Sequence, residues 1–154
     1  MPHPMTNTSQ TNTPRTSPLV RLLAALDSSL SMYVSDAGIW SYPGDEEIKL
    51  AIADLVGDQR SVMERAGTLL AEQGGVAPRH AYPIRFTATH DLDLRSLLPR
   101  MLEELRRQVA DCDAIVAAGG EPVELELVSE ARGTTLRHAD ILGQLATRPR
   151  AAAS

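Results

Sequence analysis

The sequence predicts an all-α domain, and three observations predict it. Apolar residues recur in alternating steps of three and four between residues 18 and 147, the period of one helix face. Only five aromatic residues occur, Tyr33, Trp40, Tyr42, Tyr82 and Phe86, so the core must be built of Leu, Ile, Val and Ala, a composition that favours helices. Proline and glycine fall mainly where such helices would begin or end, and they divide the chain into four segments. At 154 residues the chain has the length of one domain with a real core.

The first segment, 18–40, opens with Ser17 as N-cap and Pro18 at the first helical position. Leu19, Leu23, Leu26, Leu30, Tyr33, Ala37 and Trp40 make one face, and SYPG at 41–44 ends it. Asp45 can cap the second segment, with Glu46 and Glu47 complementing the dipole at its start. Its stripe is Ile48, Ile52, Leu55, Val62, Ala66 and Leu69, and Gly74-Gly75 stops it. The third starts near Asp91, carries Leu94, Leu98, Met101, Leu105, Gln108, Cys112 and Ile115 on one face, and stops at Gly119-Gly120. Pro99 removes a backbone donor inside it, which predicts a kink; the alternative is a helix that begins only at Pro99. The fourth has Pro122 in its first turn and the stripe Val128, Ala131, Thr135, His138, Leu142 and Leu145.

The connections predict the topology. Segments one and two, and three and four, are joined by short turns, so each pair should form an antiparallel hairpin. Between segments two and three lies GGVAPRHAYPIRFTATH, without a helical period. Such a link can extend to roughly 55 Å at ~3.3 Å per residue, against helices of about 35–40 Å at ~1.5 Å per residue. It can therefore travel the length of a bundle, and a loop this long is unusual without such a task. An up-down-down-up four-helix bundle with one long crossover satisfies these lengths.

The Thr/Ser/Asn/Pro-rich residues 1–17 and the end, 148–154, read as disordered tails around a bundle at 18–147. The N-terminal residues lack the apolar core of a signal peptide. A formal charge of −5 and few aromatics exclude a general nucleic-acid binder, which needs a basic face or stacking platforms. No apolar run reaches the ~20 residues that span a bilayer. The single Cys112 excludes an intrachain disulfide framework, and the cytoplasm is the expected setting. The sequence contains no glycine-rich phosphate loop, nucleophile elbow or Cys-x-x-Cys pair.

With four helices in this order and a crossover, the chain resembles the ferritin-like proteins over residues 18–147. The resemblance is closest to a bacterial group with segments like 25-ALDSSLSMYVSDA-37, the GG-x-x-P bend at 74–78, 82-YPIRFT-87 and 91-DLDLRSLLPRMLEE-104. It implies a di-iron site in which two helices give one Glu each and the other two give Glu-x-x-His, residues three apart projecting to one side. Carboxylates suit the hard cations and can bridge them, and imidazole adds a neutral donor.

Placed on that pattern, Asp27 takes the first acid position, and 58-DQRS-61 takes the first Glu-x-x-His, with Asp58 for Glu and Ser61 for His. Glu104, with Glu103 as its rival, takes the third acid position. In the last unit 135-TLRH-138 keeps His138 but has Thr135 for the bridging Glu. Asp27, Asp58, Glu104 and His138 are thus the candidate metal ligands, and two of six positions are lost. Each has a plainer reading. His138 can be a hydrogen-bonded core residue, and Asp27 can be solvated. Asp58, or its neighbour Gln59, can serve solubility alone. Glu103 and Glu104 have Arg100 and Arg107 at ion-pair spacing. Cys112 reads as a small apolar residue, Tyr33 as an inward tyrosine with a paired hydroxyl, and His80 and His90 as surface residues flanking the crossover.

The expectation is a ferritin-like bundle with a degenerate di-iron site, without ferroxidase activity, acting as a scaffold or interaction protein. Its partner would be a second copy of itself, with neither nucleic acid nor membrane involved. The alternative is one transition metal, iron or manganese, held for a weak redox or sensing role.

Overall fold

The computed structural model describes residues 16–78 and 81–150. His80 and most of both tails, 1–15 and 151–154, lie outside them. The described residues are helical, without a strand. In order they form α1 (Pro18–Leu26), α2 (Leu30–Ala37), α3 (Glu46–Glu72), a 3-10 segment (Ile84–Asp91), α4 (Leu94–Ala118) and α5 (Pro122–Thr147).

The first predicted helix is in fact two. Asp27 turns extended at the end of α1, Ser28 adopts φ 56°, and the Ser29 side chain accepts from Met32 N at 3.1 Å to start α2. A left-handed φ is uncommon for a residue with a Cβ. The break is held by two acceptors for the freed amides of α2: the Ser29 hydroxyl and the Glu104 carboxylate, whose oxygens lie 2.9 and 3.1 Å from Leu30 N. The crossover also departs from the expectation, since Ile84–Asp91 winds into a 3-10 helix. Tyr33 fixes it in place. Its ring lies 5.2 Å from that of Tyr82 and 5.5 Å from that of Phe86, and its hydroxyl pairs with His90 Nε2.

Residue pairs give the directions of the long helices. Between α3 and α5, Asp58 meets His138, Arg65 meets Glu130 and Gln73 meets Glu124. One number falls as the other rises, so these helices are antiparallel. Arg132 on α5 meets Asp113 on α4, while Arg95 near the start of α4 reaches the Leu145 carbonyl, so this pair is antiparallel too. Between α3 and α4, Gln59 meets Gln108, and Asp45 before α3 meets Arg95. Those numbers rise together, so α3 and α4 are parallel and the crossover must return the chain along their length. The α4 helix runs through Pro99 without interruption.

At one end of the molecule Asp45, whose side chain is 0% exposed, holds Arg95 at 2.9 Å and Arg150 at 3.1 Å. These bonds claim the carboxylate, so Asp45 makes no capping bond to α3 as the sequence suggests. They also tether Arg150, which the sequence places in a tail. Burial alone would push the Asp45 carboxyl up, but the hydrogen bonds from Arg150 and Arg95 outweigh it and hold the group below the usual carboxylate range.

Candidate functional site

The apolar core falls into two bodies. One joins α2, the first half of α3, Phe86, the first half of α4 and the end of α5; it contains Leu30, Val56, Leu105 and Leu142. The other joins α1, the second half of α3, the second half of α4 and the start of α5; it contains Leu26, Val62, Cys112 and Ala131. On every helical wall the boundary between them carries polar residues. These are the Asp27–Ser29 break between α1 and α2, Gln59 on α3, Gln108 on α4, and Thr135 with His138 on α5. The result is a polar waist across the middle of the molecule, bridged by partly buried Met63, which packs on both bodies.

The waist is knitted from pairs. Gln59 Nε2 donates to Gln108 Oε1 at 2.9 Å, and both side chains are buried. Gln59 Oε1, Gln108 Nε2 and the buried Ser31 hydroxyl find no hydrogen-bond partner among the described residues. Such buried groups are uncommon, because each forfeits its hydration. Thr135 turns its hydroxyl back to the Ala131 carbonyl at 2.8 Å, which satisfies it inside its own helix. His138 is buried, and its Nε2 lies 2.6 Å from Asp58 Oδ2. With Asp58 ionised, Nε2 carries the proton and donates it.

The four sequence candidates therefore separate. Asp58 and His138 come together, but Asp58 is 49% exposed and also stands 3.7 Å from Arg137. It approaches His138 from the rim, and Gln59 takes the inward position on α3. Ser61 is exposed, so the unit read as 58–61 does not face the middle of the molecule. The spacing contained this: Gln59 lies four after Leu55 and three before Val62, in step with the stripe. After Ala66 the spacing admits Leu69 or Leu70, and it is Leu70 that is buried. Glu104 is the partly buried member of its pair and Glu103 the exposed one, but Glu104 goes to the start of α2 rather than into an ion pair with Arg100 or Arg107. Burial pushes its carboxyl above the usual value, against the opposing pull of the Leu30 amide, Arg107, the Ser31 amide and Arg85. Asp27 sits at the helix break as the C-cap of α1. Among the described residues no group of three or more His, Cys, Asp or Glu side chains is placed to hold a metal ion.

Cys112 lies in the second core body, where burial, with Asp111 and Asp113 nearby, pushes its thiol up to about 11. It is a packing residue without thiolate character. No helix among the described residues is long and apolar enough to cross a membrane. Comparison of the chain with protein-family models, with curated proteins and with solved structures found no match.

Proposed function

We propose that this chain is a ferritin-like up-down-down-up bundle whose metal centre has given way to a hydrogen-bonded waist, and that it acts as a helical scaffold or interaction protein. The helix directions support the fold reading: α3 and α4 parallel, both antiparallel to α5, with the long crossover between them. The observation that carries the functional reading is the Gln59–Gln108 pair. Gln59 occupies the inward position of α3 where a di-iron bundle needs a carboxylate, Gln108 faces it from α4, and neutral amides cannot offset the charge of two close cations. Thr135 in place of a glutamate, with its hydroxyl turned to its own helix, removes a further ligand. The residues present do not fit a di-iron pair.

The test is oxygen consumption on adding Fe(II) anaerobically prepared and then mixed with air. The reading expects the rate of buffer alone. Catalysed consumption that disappears in His138→Ala would overturn it. The 2.6 Å contact of Asp58 with His138 favours one other reading, a single iron or manganese ion bound by these two residues. It expects metal binding without rapid oxygen turnover.

A further inference from the structure

We propose that the cleft between the crossover and α4 binds a small phosphate monoester through Arg85, Arg100 and Arg107. The cleft has a volume of about 520 Å³, and these three residues line it together with Leu30, Phe86 and Thr89. The protein carries a net charge of −5, so a local gathering of guanidinium groups runs against its overall balance. Glu103 and Glu104 also line the cleft. Three cations against two carboxylates leave it positive, and one of those carboxylates is committed to the Leu30 amide. Arg100 and Arg107 stand at helical spacing from both glutamates, yet none of the three arginines makes an ion pair among the described residues. Arg60 pairs with Asp36, Arg65 with Glu130 and Arg132 with Asp113; Arg21 and Arg106 also lack an ion pair among the described residues but do not line this cleft.

The cleft arginines are also placed from two sides. Arg100 and Arg107 rise from one face of α4, while Arg85 comes from the 3-10 segment, with its guanidinium 5.2 Å from the centre of the Phe86 ring. That contact limits the freedom Arg85 would lose on binding. A phosphate monoester carries close to two charges and three acceptor oxygens, which match forked donors arriving from different directions. Leu30 and Phe86 back the cleft with apolar side chains, so an ester with an organic body fits better than bare phosphate.

The test is calorimetric titration of the full chain, at fixed ionic strength, with phenyl phosphate, inorganic phosphate and phenol. The expected result is saturable binding of one phenyl phosphate, weaker binding of inorganic phosphate and none of phenol. Affinity should fall about tenfold or more in Arg85→Gln/Arg107→Gln, which removes two charge-assisted contacts, and stay unchanged in Arg132→Gln. Raised salt should weaken binding as well, since the cleft is open to solvent. Co-sedimentation with phosphatidate-containing vesicles, lost in the same double variant, would assign the ester to a lipid headgroup; without it, phenyl phosphate binding assigns a free small molecule. No saturable heat from phenyl phosphate and no vesicle binding would overturn the proposal, as would undiminished affinity in the double variant. Should that variant unfold, heat from phenol equal to that from phenyl phosphate overturns it on the unaltered chain.

Discussion

Replacing Gln59 and Gln108 by leucine, singly and together, probes the waist most sharply. Gln59→Leu removes the 2.9 Å hydrogen bond and strands the Gln108 amide, which already has one buried atom without a partner. Stranding a buried polar group costs about 1–3 kcal/mol, while a leucine of similar volume to the glutamine buries little new surface and returns at most about 1 kcal/mol. The net loss for either single variant should be about 1–2 kcal/mol. The double variant removes both amides and the two atoms that had no partner. Replacing a buried polar pair by apolar groups of like volume is near neutral or stabilising. The double variant should therefore be at least as stable as the parent, which makes the coupling between the sites about 2 kcal/mol or more. Urea unfolding followed by circular dichroism measures this: at ~2 kcal/mol per molar of urea, each single variant lowers the midpoint by about 0.5–1 M. A double variant as unstable as the sum of the singles would refute the reasoning, because the amides would then be satisfied by something other than each other.

Three further substitutions test the account elsewhere. Ser28→Gly at φ 56° relieves about 1–2 kcal/mol of left-handed strain against about 0.4–1 kcal/mol of added chain entropy, so it should raise stability in chemical denaturation by a fraction of 1 kcal/mol. Asp45→Asn breaks the buried contacts to Arg95 and Arg150 and should cost about 3 kcal/mol at neutral pH, the low end for a buried pair because Arg150 is partly solvated. Since the folded carboxyl lies below its usual value, its contribution is complete above about pH 4 and is lost as pH falls through the folded value. Melting curves of parent and Asp45→Asn should therefore converge at acid pH, and a constant gap would contradict the assignment. Glu104 has the opposite sign. Its raised carboxyl favours the fold below the usual glutamate value and opposes it as pH rises through the folded one. Glu104→Gln, which can still accept from Leu30, should gain on the parent between about pH 4 and 7; a difference that shrinks over that range would contradict it.

The long helices were legible because their stripes keep helical period for several turns: Pro122 marks the start of α5 and Gly119 the end of α4. The break at Asp27–Ser29 was not, because Leu26, Leu30 and Tyr33 stay in phase across it. What signals the break locally is Ser28-Ser29, a capping pair ahead of Leu30. Its stabilising partner, Glu104, is 74 residues away in sequence, and no local pattern encodes that distance. His138 was legible as a residue of the buried stripe, with a metal-ligand and a hydrogen-bonded core reading both open. Its partner Asp58 was named, but the inward residue beside it is Gln59, because helical phase rather than chemical interest decides which side chain faces inward. The winding of Ile84–Asp91 had no periodic signal over so few residues.

Under the proposed function, paired side chains rather than a ligated metal fill the middle of the molecule. The measurement that meets this proposal most directly is the number of Fe(II) or Mn(II) equivalents retained per chain after anaerobic loading and desalting. Gln59→Glu/Val62→His/Thr135→Glu runs beside the parent, writing Glu-x-x-His on the inward positions of both α3 and α5. The account predicts far less than one equivalent in the parent and uptake in the triple variant. One or more tight equivalents in the parent, lost in His138→Ala, would contradict it and make the Asp58–His138 contact half of a metal site.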